Sequence, residues 1–108
     1  MLVEILIDKN IIRVNSTEFN NNEGKACGIE MSAYPKNILI ENNIIIGTRI
    51  GIQFFGFKDY GYYYNVSILF NTLWNVDYTP IMFEKPDYMA SDCKMKNNFI
   101  YFAGAVEL

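Results

Sequence analysis

The sequence predicts an all-β solenoid of about four coils, each with three short strands, on three observations. The pattern apolar-x-apolar-x-x-Asn-x-apolar occurs four times in the same direction. A second pattern, small-or-Pro, apolar, variable, apolar, follows each copy. The composition suits both, since 15 Ile and 13 Asn among 108 residues supply branched side chains for strands and asparagines for the turns between them.

The first pattern reads Ile5-Leu6-Ile7-Asp8-Lys9-Asn10-Ile11-Ile12, then Ile38-Leu39-Ile40-Glu41-Asn42-Asn43-Ile44-Ile45, then Val66-Ser67-Ile68-Leu69-Phe70-Asn71-Thr72-Leu73, then Cys93-Lys94-Met95-Lys96-Asn97-Asn98-Phe99-Ile100. Its asparagines, Asn10, Asn43, Asn71 and Asn98, are spaced by 33, 28 and 27 positions. This drifting period is typical of repeats whose loops vary in length. Alternation in each short apolar core sends its first and third side chains to one face and the middle one to the other. A further strand is expected just after each Asn, at 12–14, 45–47, 73–75 and 100–102, and the second pattern places one at 28–31, 51–54, 80–83 and 105–108. The chain therefore reads as a single segment with coils at roughly 1–31, 32–54, 55–83 and 84–108. A repeat recurring in one direction stacks its strands in parallel, about 4.8 Å apart. Helical repeats fail because Asn-Asn or Gly interrupts every run long enough for a 3.6-residue period. An antiparallel sandwich would call for hairpin dipeptides such as Asn-Gly or Asp-Gly, and none occurs.

Composition also narrows function. With 51% hydrophobic residues and a formal charge of −3, the chain is too apolar and too weakly charged to stay disordered. The absence of histidine removes imidazole bases, Ser-His-Asp and Cys-His catalysis, and His-containing metal sites. An isoelectric point near 4.8, with no run of Lys or Arg, argues against nucleic acid as a partner. No apolar stretch approaches the roughly 20 residues of a membrane-spanning helix. The first residues, Met1-Leu2-Val3-Glu4, lack the basic start and apolar core of a secretory signal, so they do not reveal the compartment. Cys27 and Cys93 fall in different coils, too far apart to bridge, and read as reduced thiols with Cys93 an inward apolar residue.

In these motifs the chain resembles the right-handed parallel β-helix superfamily of pectate-lyase-like proteins, whose coils carry three short strands and often an inward Asn at the tight second turn. The resemblance extends over nearly the whole chain. It implies that Asn10, Asn43, Asn71 and Asn98 form a hydrogen-bonded structural ladder. It equates the segment before each Asn with the family's second strand, the one after it with the third, and the Gly-Ile type with the first. The bends from third to first strand are then 15–26, 48–50, 76–79 and 103–104, and those from first to second are 32–37, 55–65 and 84–92. The chain reads as a segment of a longer β-helix, with further coils of the same protein at both ends.

Polysaccharide-cleaving members of this superfamily bind their substrate along the first strand and its flanking bends. The resemblance therefore implies a groove with Glu30, Gln53, Met82 and Glu107 as outward residues, flanked by Arg49, Lys58, Asp59, Asp77, Glu84, Lys85 and Asp87. Lys58 and Asp59, with Lys85 one coil on, are the candidate catalytic residues, since lyases of this type abstract a proton α to a carboxylate with Lys or Arg. Ca²⁺ would enter as a cofactor only with lyase chemistry, and the sequence itself identifies no cofactor and no metal ligands. Asp77 with Glu84 is only a nominal carboxylate pair for a hydrolase. The candidate substrate-binding residues are Glu30, Arg49, Gln53, Tyr62, Tyr63, Asp77 and Glu84. Tyr62 and Tyr63 belong to a densely aromatic bend that either stacks on sugar faces or folds back on the outer wall. Isolated Lys-Asp neighbours such as Lys58-Asp59 are more often solvated surface charges than catalysts. Trp74, outward by alternation, is open to a neighbouring loop or a ligand. Two functions stay open: a polysaccharide lyase or glycoside hydrolase, or a non-catalytic module binding glycan or protein. Both imply an extracellular or cell-surface location by resemblance alone.

Overall fold

The computed structural model describes residues 2–14, 27–32, 35–54, 63–84 and 92–102. Those residues form strands and turns without a helix. The strands are β1 (Ile5–Asp8), β2 (Ile11–Arg13), β3 (Cys27–Met31), β4 (Lys36–Glu41), β5 (Ile44–Ile46), β6 (Ile50–Phe54), β7 (Tyr64–Leu69), β8 (Thr72–Val76), β9 (Thr79–Phe83), β10 (Lys94–Lys96) and β11 (Phe99–Phe102). They make three parallel sheets with the orders β1-β4-β7-β10, β2-β5-β8-β11 and β3-β6-β9. Each sheet takes every third strand, so residues about one repeat apart in the chain become neighbours. Ile38 lies beside both Ile5 and Val66, and Ser67 lies beside Lys94.

A two-residue corner separates the first and second sheets. Its leading residue, Lys9, Asn42, Phe70 or Asn97, takes the left-handed conformation with φ between 55° and 57°, and its second residue is always Asn. Left-handed backbone ends one strand, and extended backbone resumes immediately after the Asn. The strands of the second sheet accordingly start at Ile11, Ile44, Thr72 and Phe99, one residue before the starts expected from sequence. Those of the third sheet start at Cys27, Ile50 and Thr79, again one residue early. Residues 105–108 lie outside the described residues.

Alternation then fills the interior in vertical columns. Ile38 and Val66 form one, Ile40 and Ile68 a second, and Ile45 and Leu73 a third, all fully buried. The third sheet contributes Ile29, Ile52 and Ile81 and, beside them, Met31, Phe54 and Phe83. Burying one such side chain stabilises by about 1.5–3 kcal/mol, so the columns are the main source of cohesion between the sheets. At Gly28 and Gly51 the third sheet leaves no room for a side chain. A Cβ at Gly28 would lie 2.6 Å from both the Gly51 carbonyl oxygen and Ile45 Cγ2, and one at Gly51 would collide with the Pro80 carbonyl oxygen. This crowding explains the glycine that opens the second sequence pattern in β3 and β6. Cys27 and Cys93 are both free thiols.

Candidate functional site

The asparagines of the two-residue corners run through the interior as one directional column. The backbone N–H and the Nδ2 of Asn10 both donate to Asn43 Oδ1 at 3.0 Å. Asn43 donates in the same way to Asn71, and Asn71 to Asn98. The other Nδ2 hydrogen reaches back one strand, from Asn43 to the Ile7 carbonyl, from Asn71 to Ile40 and from Asn98 to Ile68. Asn43 and Asn71 are buried, yet both their donors and their carbonyl oxygens are satisfied, as buried amides require. This column holds the corner in place and is closed to any ligand.

The outer face of sheet β3-β6-β9 is where sequence reasoning places a groove. Glu30 is exposed there, beside Gln53 and Met82 in register. Gln53 departs from expectation: only 8% exposed, it donates to Met82 Sδ at 3.4 Å and accepts from the Cys27 thiol at 3.8 Å. As part of the central strand of its sheet, it is packed between the side chains above and below it rather than presented to a ligand. Burial, with the Glu30 carboxylate as a lesser cause, pushes the Cys27 thiol up to about 11, so at neutral pH it stays protonated and is no nucleophile. Burial likewise raises the Cys93 thiol, which donates to the Tyr63 carbonyl at 3.6 Å.

At the leading end of this sheet lies Arg49, whose side chain is largely covered. Its guanidinium packs over the Tyr78 ring at 4.8 Å and has Nη1 3.9 Å from Asp77, beyond hydrogen-bond range. Its Nε and the adjacent Thr48 hydroxyl are buried without a hydrogen-bond partner. Tyr78 itself is 53% exposed. Arg49 and Asp77 are therefore brought together, held by the turn in which the Tyr78 and Thr79 amides both donate to the Arg49 carbonyl.

Glu84 sits at the other end of β9. The five residues of that strand hold it on the order of 15 Å from Asp77, at ~3.3 Å per residue. Hydrolysis requires two carboxyls about 5–9.5 Å apart, so the nominal Asp77–Glu84 pair is ruled out by the extended strand between its members. Tyr63 is also misplaced by the sugar-stacking expectation. It is fully buried, edge-on to Phe54 and Phe83, with its hydroxyl 2.6 Å from the Glu84 carbonyl and 3.2 Å from that of Phe54. Its ring belongs to the core. Lys58, Asp59, Tyr62, Lys85, Asp87 and Glu107 lie outside the described residues.

A second polar column, which the sequence reading missed, lies outside the first sheet. Asn65 Nδ2 donates to Asn37 Oδ1 at 2.8 Å and to the Leu2 carbonyl at 2.9 Å, while Asn37 Nδ2 donates to Glu4 at 3.2 Å. Asn37, Asn65 and Asp92 all have left-handed backbone, with φ of 58°, 50° and 69°. The signal was present, since Glu4, Asn37, Asn65 and Asp92 repeat the spacing of the inner asparagines. With Tyr64, Ser67 and Lys94, this column lines an open cleft of about 470 Å³.

The second sheet presents an apolar outer face. Trp74, as alternation predicts, points outward and is 44% exposed, stacked on Tyr101 at 4.3 Å and alongside Phe99 at 6.3 Å. Among the described residues no three carboxylates or thiols converge as cation ligands. Nor is any helix among them long and apolar enough to cross a membrane. Comparison of the chain with family models, curated proteins and solved structures finds no match.

Proposed function

We propose that the chain is a segment of a right-handed parallel β-helix of the pectate-lyase-like kind, that it belongs to an exported protein, and that it binds a glycan along the outer side of sheet β3-β6-β9. Strands that recur in one direction through three parallel sheets support the coil, and parallel crossovers are overwhelmingly right-handed. The observation that carries the binding reading is Arg49. A guanidinium that stacks on an exposed tyrosine, with its one carboxylate among the described residues, Asp77, 3.9 Å away and outside hydrogen-bond range, is chemically suited to a ligand rich in oxygen. Tyr78 supplies the apolar face and Asp77 an acceptor for sugar hydroxyls. Whether the bound chain is also cleaved turns on Lys58, Asp59 and Lys85.

The reading is tested by titrating acidic and neutral oligosaccharides into the chain and its Arg49→Gln variant, followed by reducing-sugar and unsaturated-product assays with and without Ca²⁺. Saturable binding weakened about tenfold or more by the substitution supports the site, given ~1.4 kcal/mol per tenfold. No binding to any glycan sinks it. Binding without turnover assigns the chain to the non-catalytic class, a reading to which the apolar face around Trp74 also lends weight as a protein-binding surface.

A further inference from the structure

The polar column outside the first sheet breaks between Asn65 and Asp92. Asn65 donates to Asn37 Oδ1 and Asn37 donates to Glu4, so each asparagine gives a hydrogen to the acceptor before it. Asp92 stands to Asn65 as Asn65 stands to Asn37. It lies 27 residues on, in the register that pairs Lys94 with Ser67, and shares the left-handed backbone. A carboxylate has no hydrogen to give. Asn65 Oδ1 therefore meets an acceptor where the repeat calls for a donor, and among the described residues it receives no hydrogen bond. The mismatch falls between two strands that are paired with each other, β7 and β10.

The open cleft of about 470 Å³ lies at this break. Ser67, which lines it, is only 4% exposed, and its hydroxyl has no hydrogen-bond partner among the described residues. Lys94 lies beside Ser67 in register and lines the same cleft, and among the described residues no ion pair joins it to Asp92. The cleft thus carries two acceptors, Asn65 Oδ1 and the Asp92 carboxylate, and two donors, the Ser67 hydroxyl and the Lys94 ammonium. Two residues of extended strand, about 6.6 Å, separate the acceptor pair from the donor pair.

From this we infer that the cleft binds a small zwitterion of the α-amino acid class, with its ammonium between Asn65 Oδ1 and Asp92 and its carboxylate on Ser67 and Lys94. An ammonium has hydrogens enough for both acceptors, and a carboxylate accepts from both donors, so every group in the cleft gains a partner of opposite kind. A neutral sugar hydroxyl would serve the acceptors but leave both charges uncompensated. Tyr64, 42% exposed at the cleft, offers a ring to the side chain of the ligand. The site is on a different sheet from the proposed glycan groove and does not depend on it. It also carries a cost in stability, because an amide in place of the Asp92 carboxylate would complete the column.

Calorimetric titration of the chain with each of the common L-amino acids tests this, followed by the decarboxylated amine and the deaminated acid of the tightest binder. At least one amino acid should bind saturably, and each of the two analogues should bind about tenfold more weakly or worse. Asp92→Asn should raise the thermal midpoint of the unliganded chain, since the new amide donates to Asn65 Oδ1, yet weaken amino-acid binding about tenfold or more. Lys94→Met, at an exposed position, should weaken binding of the amino acid and leave that of the amine unchanged. No saturable binding by any amino acid at millimolar concentration would overturn the proposal. So would an analogue that binds as tightly as the amino acid, an Asp92→Asn chain that keeps its affinity or loses stability, or a Lys94→Met chain that binds the amino acid undiminished.

Discussion

Asn43 and Asn71 on the inside and Asn37 and Asn65 on the outside are the same residue type, recur at the same 28-residue spacing and bond to each other in pairs across that spacing. Their surroundings differ. The inner amides are buried, and each makes two donor bonds through Nδ2 and receives two at Oδ1. The outer ones bond through Nδ2 to a neighbouring amide, a carboxylate or a chain-end carbonyl, with water within reach. A hydrogen bond that water can replace contributes about 0.5–1.5 kcal/mol at most, whereas a buried donor or acceptor left alone costs about 1–3 kcal/mol. Repetition in the sequence therefore marks position in the repeat, and burial decides how much a position matters.

Substitutions along the two walls would break or sharpen that contrast. The largest effect is expected inside, where Ile68→Lys puts a charge in a fully buried column and should abolish cooperative unfolding in thermal circular dichroism. A lysine at the outward neighbour Leu69, only partly buried and beside Glu41, tested in the same way, should retain a folded transition. Next comes Asn71→Ala. It strips acceptors from the Asn43 N–H and Nδ2 and donors from Asn98 and the Ile40 carbonyl, and should cost about 3 kcal/mol or more in urea titration. Asn65→Gly, its outer counterpart, removes the amide while glycine accepts the left-handed φ of 50°, and should cost below about 1 kcal/mol; equal losses at the two asparagines would refute the distinction. Phe70 offers a gain instead. Left-handed backbone costs a non-glycine residue roughly 1–2 kcal/mol, and Asn relieves part of this, so Phe70→Asn should raise stability by about 0.5 kcal/mol or more. The smallest effect is expected from Glu30→Ala on the exposed wall, within about 0.5 kcal/mol of zero.

Much of this architecture is legible from residue periodicity. The inward columns follow from alternation around Ile38, Ile40, Val66 and Ile68, and the asparagine at each corner marks where one strand stops and the next begins. The candidate site is less legible because it depends on what packs across strands. Nothing in the local sequence separates Gln53, which is enclosed between Cys27 and Met82, from Glu30, which is not. Tyr63 looks like its aromatic neighbours, but only the coordinates place it against Phe54 and Phe83. Two readings could have been improved without a structure. Asn37, Asn65 and Asp92 repeat in phase with the inner asparagines, and a strand between Asp77 and Glu84 already separates their carboxyls beyond catalytic reach.

The lone tryptophan sits at a joint between paired strands, stacked across β8 and β11 on Tyr101. Its emission is therefore a spectroscopic gauge of whether β11 is zipped to its neighbour. If β11 frays ahead of the remainder, tryptophan fluorescence will shift at lower denaturant than the far-ultraviolet signal of the whole chain, so this one indole can time the order in which the strands come apart.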